Sequence, residues 1–147
     1  TTVREIRSAI FELHSTRVSE RSLRRAATDL VAESARTLGF EPSIRFKGPL
    51  DQVDSGLAEH VLSVQREALS NVARHAHASS AEVAVTLHEG WLCLVVEDDG
   101  TGPGDTAGGG RGMINMKERA RSLGGDGDLG ARVGGGSVLT WRVPAPV

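Results

Sequence analysis

At 147 residues the chain has the length of one ordinary domain, enough to bury a substantial core. Its 17 Lys and Arg against 19 Asp and Glu leave a formal charge of −2, which argues against the basic footprint of a nucleic-acid binder. A single cysteine rules out a disulfide framework and a cysteine-based zinc site, and the longest apolar run, Trp91 to Val96, is too short to span a membrane.

The chain opens without Met and without a signal-peptide pattern, and so reads as a soluble piece of a longer protein. Residues 1–14 place Val3, Ile6, Ile10 and Leu13 on one helical stripe, the expected tail of a longer helix because nothing caps its start. Ser19 is positioned to cap a second helix reaching Leu38, with Leu23, Ala27, Leu30, Val31, Ala35 and Leu38 turned inward and Gly39 as its stop. Arg21, Arg24 and Arg25 form the solvated face of that helix. Ile44 and Phe46 alternate with polar neighbours, which predicts a strand over 42–47 ended by Gly48-Pro49. Asp54 or Ser55 caps the longest helix, which runs to about Ala76 on a stripe of Leu57, Val61, Val64, Ala68 and Val72. Val83, Val85 and Leu87 alternate, Glu89-Gly90 turns, and Trp91 to Val96 is almost wholly apolar, a hairpin whose second strand is central. Cys93, Trp91 and Trp141 are expected to be packing residues, and His60 and His77 to face solvent. After the loop from Asp98 to Gly110 come a helix over Met113–Leu123 and two strands near 128–132 and 137–143. Helices interleaved with antiparallel strands predict an α+β fold, a mixed sheet with helices on one face.

Of the 18 glycines, 14 fall between Gly100 and Gly136, and the helical run at Met113 interrupts them. That pattern suits a backbone shaped around a ligand better than a flexible tether. The long helix carries Glu67, Asn71, Arg74 and His75, the first three within about 40° of one another at helical spacing. Such a set offers oxygens to Mg²⁺ and donors to phosphate, although the same spacing also makes a solvated face. Asp98-Asp99-Gly100-Thr101-Gly102 follows the most apolar strand. A carboxylate there can accept from an exocyclic amine, and the glycines admit a flat ring against the backbone, while an ordinary turn would use the same residues. Gly108-Gly109-Gly110-Arg111-Gly112 opens a helix, where free N–H groups favour phosphate. No Gly-Lys-Ser/Thr follows and no βαβ unit surrounds it, so neither a P-loop nor a dinucleotide fold fits.

EALSNVARHA, DDGTG, GRGMINMKERA and GSVLTWRVP, in that order over roughly residues 65–143, resemble the nucleotide-binding boxes of the GHKL ATPase superfamily. More narrowly they look like the catalytic domain of sensor histidine kinases of the NarL-partnered group. TTVREIRSAIFELH resembles the end of that group's dimerisation and phosphotransfer domain. With GPL and VDS before the long helix, the chain is most similar to the actinobacterial dormancy sensors of the DevS/DosT type, which respond to hypoxia or redox state.

The resemblance implies a Bergerat-type α/β sandwich over residues 16–147, with residues 1–15 a residual helix of the dimerisation domain. It implies Mg²⁺ and ATP as cofactors and transfer of the γ-phosphate to a histidine on an upstream dimerisation domain. From there the phosphate would pass to the aspartate of a NarL-type response regulator. It further implies a homodimeric, cytoplasmic full-length protein, with haem only in a sensor domain upstream. Glu67 would be the catalytic acidic residue, Asn71 the Mg²⁺ ligand, and Arg74 and His75 the phosphate contacts. Asp98 would take the adenine amine, with Gly100 and Gly102 as the wall beside the base. Gly110 and Gly112 would lie against the phosphates, and Ser137 would serve the adenine end where Thr is usual. Asp99 stands where Asn is commoner, which adds a charge near the nucleotide and predicts weaker binding. Pro103 to Gly109 leaves only a short lid and predicts fast exchange. The rivals are another GHKL ATPase or anti-sigma serine kinase, and a non-catalytic nucleotide-binding docking module.

Overall fold

The computed structural model describes residues 23–101 and 111–145. The leading helix with His14, the Ser19 cap, Arg21, Gly102, Gly110 and the lid lie outside the described residues. Helix α1 covers residues 23–38. It is followed by β1 (Ser43–Lys47), α2 (Ser55–Asn71), β2 (Ala81–His88), β3 (Trp91–Asp98), α3 (Arg111–Ser122), β4 (Asp126–Ala131) and β5 (Ser137–Pro144). The five strands form one sheet in the order β1-β2-β3-β5-β4. β1 runs parallel to β2 and every other neighbouring pair is antiparallel, so the sheet is mixed and β3 is its middle strand.

Local chemistry sets most element boundaries. The Asp54 carboxylate accepts from the Leu57 N–H at 2.8 Å and so starts α2. The far end of α2 widens into a π turn over Val72–Ala76, which His77 ends in the left-handed region at φ 49°. Glu89 and Gly90, at φ 50° and 78°, supply the two positive φ angles that a tight hairpin turn between β2 and β3 requires.

Period-2 alternation sorts the sheet into two faces. Val83, Val85, Leu87, Leu92, Leu94, Val96, Leu139, Trp141 and Val143 are buried on the inner face. Against them pack Leu57, Val61, Val64 and Ala68 of α2, Met113, Met116 and Ala120 of α3, and Leu23 and Val31 of α1. Two polar contacts fix how the helices sit. The Trp141 indole N–H donates to the Met116 carbonyl at 3.1 Å, joining β5 to α3. The fully buried Gln65 amide donates to the Ala27 carbonyl at 2.9 Å, joining α2 to α1.

Three side chains sit elsewhere than the sequence suggests. Trp91 and Cys93 alternate with Leu92 and Leu94, so they lie on the outer face rather than in the core. Trp91 is partly exposed and carries the Arg142 guanidinium 4.1 Å from its ring centre, and Cys93 is half-buried, its thiol pushed up by that burial. An almost continuous apolar run hides which residues face in, and the register decides it. His60 is half-buried and accepts at Nδ1 from Arg119 at 2.8 Å, which bridges α2 to α3. Arg24 remains exposed, yet it donates to the Gly48 carbonyl at 3.0 Å and lies over the Phe46 ring, pinning α1 to β1.

Gly48 sits at φ 93°, where a Cβ would overlap the Leu87 carbonyl. Gly48→Ala should therefore destabilise by about 2 kcal/mol or more, against about 1 kcal/mol for Asp54→Ala, which removes only a helix cap. Urea denaturation of the two variants checks the order, and equal midpoints would contradict it.

Candidate functional site

Polar side chains gather where the middle strand ends and α2 meets α3. Asp98 is the last residue of β3 and is only 5% exposed. Its Oδ1 accepts from the Gly100 N–H at 2.8 Å, and the Ser137 N–H also donates to the carboxylate. Burial pushes the Asp98 carboxyl above its ordinary value, and these two backbone bonds oppose the rise. Ser137 pairs directly with Asp98 across the β3–β5 ladder and is itself buried. Gly136, at φ 107°, allows this approach, because a Cβ there would overlap the Asp98 carbonyl. The result is a sheltered acceptor beside a hydroxyl and two glycines.

Glu67, Asn71 and Arg74 line one side of α2 and its π turn. Arg74 Nη2 lies 2.9 Å from Asn71 Oδ1 and 3.4 Å from Glu67 Oε1, so one cationic nitrogen sits between two oxygens. All three side chains remain open to solvent. The first turn of α3 closes on this group, since a Cβ on Gly112 would overlap the Glu67 carboxylate. His75 belongs to the π turn. The structure thus brings Glu67, Asn71, Arg74 and Gly112 together, and Asp98, Gly100 and Ser137 together.

The connection between α2 and β2 joins the two groups. Asp99 Oδ1 accepts from the Ser79 and Ser80 N–H groups at 2.8 and 2.9 Å, and Oδ2 accepts from the Ser79 hydroxyl at 2.7 Å. Those donors hold the exposed Asp99 carboxyl far below the usual carboxylate range, the Ser79 hydroxyl contributing most. Gly136 and this clasp are the two features that the sequence reading passes over. The Gly134-Gly135-Gly136 run signals the first, while nothing in the spacing of Ser79 and Asp99 signals the second.

Among the described residues no three His, Cys, Asp or Glu side chains converge on a metal position. A cation here would meet Asn71 and Glu67 oxygens and complete its shell with ligand and water, a manner of binding suited to Mg²⁺. That one guanidinium nitrogen already lies between both oxygens shows that the pair favours positive charge. A cavity of about 290 Å³ is bordered by Asp98, Asp99 and Ser79 together with Glu82, Glu97 and Arg132. Its carboxylates suit a polyanion poorly, and it lacks Glu67, Asn71 and Arg74.

Residues 56–147 match the sequence family described as "Histidine kinase-, DNA gyrase B-, and HSP90-like ATPase". The chain is 35% identical over 124 residues to the nitrate/nitrite sensor protein NarX of Escherichia coli, covering 83% of this chain and 21% of NarX. It is 37% identical over 102 residues to the sensor histidine kinase NarS of Mycobacterium tuberculosis, covering 69% of this chain and 23% of NarS. The chain therefore spans about a fifth of the length of these relatives. Its fold is similar to that of the blue-light activated histidine kinase of Erythrobacter litoralis EL346, with a TM-score of 0.64 at 22% identity over 86% of this chain and 42% of that chain. Full-length ShkA in complex with AMPPNP gives a TM-score of 0.67 at 18% identity, over 87% of this chain and 30% of that chain.

The glycines separate two kinds of close approach. Gly112→Ala displaces the end of a flexible side chain and should cost no more than about 0.5 kcal/mol. Gly136→Ala meets backbone at a positive φ and should cost about 2 kcal/mol. Denaturant melts of both variants measure the difference, and a larger loss for Gly112→Ala would contradict the geometry.

Proposed function

The chain belongs to the histidine kinase-, DNA gyrase B- and HSP90-like ATPase family, and from that premise we propose that it is the ATP-binding catalytic domain of a sensor histidine kinase. The observation that carries this reading is the buried Asp98 carboxylate at the end of the middle strand, flanked by Gly100 and Ser137. An ionised carboxylate accepts from the exocyclic amine of adenine, whereas guanine would turn a carbonyl toward it and leave both acceptors unsatisfied. In this reading Gly100 and Gly102 would form the wall beside the base, and the Ser137 hydroxyl would serve the same end.

Arg74 and His75 would meet the phosphates, with Gly110 and Gly112 against them at the start of α3, where backbone N–H groups favour negative charge. Bound through Asn71, Mg²⁺ would neutralise phosphate charge. Arg74 would then leave the oxygens it bridges and turn its guanidinium to the phosphates. Glu67, packed on Gly112, would orient the acceptor imidazole or take its proton. Positioning and charge neutralisation carry the reaction, with little covalent work for the protein.

In this reading residues 16–147 are the ATP-binding domain and residues 1–15 the tail of a dimerisation domain. The γ-phosphate goes to a histidine of that domain outside this chain, and then to a response regulator of the NarL type. The whole protein would be a cytoplasmic homodimeric kinase of the DevS/DosT kind, with any haem in a sensor domain outside this chain. The similarity to the nitrate/nitrite sensor protein NarX and the sensor histidine kinase NarS supports the sensor-kinase reading.

Calorimetric titration with ATP, with and without Mg²⁺, tests the assignment. Asp98→Ala should weaken binding at least about tenfold, the worth of a hydrogen bond to a charged group. Asn71→Ala should abolish the gain from Mg²⁺. No binding by the wild-type chain at millimolar ATP would refute the reading.

Acidification gives a second check. Burial raises Asp98, so its ionised form is lost at a higher pH than that of an exposed carboxylate, whose pKa is about 4. Adenosine, which has no phosphate to titrate, should bind more weakly as the pH drops from neutral, the loss beginning above that value. An unchanged affinity down to the ordinary carboxylate range would contradict the role of Asp98.

A further inference from the structure

The Asp99 clasp lies between the two halves of the proposed site. Asp99 follows directly on Asp98, the adenine acceptor. Its partners Ser79 and Ser80 sit on the short connection between the π turn, which carries Arg74, and β2. Ser79, Ser80 and His77 are exposed, so little packing fixes that connection beyond the partly buried Ala78. Four hydrogen bonds hold it instead. Three run from Ser79 and Ser80 to the Asp99 carboxylate, and the Asp99 N–H returns one to the Ser80 carbonyl at 3.3 Å.

The carboxylate oxygens are thus occupied by donors from the protein itself. A residue read from the sequence as a repulsive charge near the nucleotide is engaged in holding two chain segments at a set distance. We propose that Asp99 is a positioning residue for ATP: by clasping Ser79 and Ser80 it fixes the spacing between Asp98, which takes the adenine, and the Asn71–Arg74 cluster, which takes the phosphates. The inference rests on the ATP-binding reading above. It reverses the sign of the expected effect, since relieving a repulsion tightens nucleotide binding and breaking a clasp weakens it.

The test compares MgATP and adenosine affinities of the wild-type chain, Asp99→Ala, Asp99→Asn and Ser79→Ala. Adenosine needs only the Asp98 end, whereas MgATP needs both ends in register. Asp99→Ala should lose about tenfold in MgATP affinity and much less in adenosine affinity. Asp99→Asn should recover most of the loss, because its carbonyl oxygen still accepts both backbone N–H groups and its amide can donate to Ser79. Ser79→Ala, which removes one hydroxyl bond and leaves the fold otherwise intact, should lose about threefold. This variant keeps the proposal exposed to refutation if Asp99→Ala fails to fold. Unchanged or tighter MgATP binding by Asp99→Ala, or equal losses for MgATP and adenosine, would overturn the clasp while leaving the ATP-binding reading intact. If the wild-type chain binds no MgATP, the functional reading falls, and the clasp falls with it as a device for the nucleotide.

Discussion

The alternation that buries Leu92, Leu94 and Val96 against the helices continues for one more step and buries Asp98. The same phase that builds the core therefore aims a carboxylate into the shelter of the sheet's end. Burying a charge is costly unless polar partners meet it, and here the N–H groups of Gly100 and Ser137 do so. That requirement in turn constrains β5, whose register must set Ser137 opposite Asp98, and the turn before it, where Gly136 leaves room for the Asp98 carbonyl. A slip of one residue in β3 would turn the carboxylate to the outer face and the leucines to solvent together. Fold and site share one register.

The second half of the site depends on a helix departing from regularity. Val72 donates to both the Ala68 and Leu69 carbonyls, and the π turn that follows carries Arg74 to a place where it reaches both Glu67 and Asn71. The start of α3 is fitted to the same point, because Gly112 leaves the Glu67 carboxylate the space that a Cβ would otherwise take. Arg119 on His60 and the Trp141 indole on Met116 hold α3 farther along. The helix that would lie beneath a nucleotide's phosphates is thus anchored at its middle and end, and its first turn adjoins the acidic residue proposed for catalysis.

Much of this was legible in the residues. Strand alternation, the Asp54 cap and the Glu89-Gly90 turn are local signals, and each element they predict lies within a few residues of its place. β4 begins two residues earlier than expected, at Asp126, because ladder pairing with Arg142 rather than side-chain pattern sets its start. The outward aspect of Trp91 and Cys93 was hidden by an apolar run without contrast between its faces. The Arg119–His60 bridge and the Asp99 clasp join residues 59 and 20 apart in sequence, so no local periodicity marks them. Gly112 and Glu67 could each be placed on an element, but their contact required the helices to be assembled.

The chain has two tryptophans and no tyrosine, so its near-ultraviolet emission comes from two indoles in contrasting settings. Trp91 sits in the open beneath Arg142, at the opposite end of β3 from Asp98. Trp141 is wholly enclosed, and its N–H is bound to the backbone of α3. Emission at short wavelength therefore belongs to Trp141 and reports whether α3 is seated on the sheet. The domain carries a built-in optical gauge of the helix that follows its glycine-rich segment, needing no label.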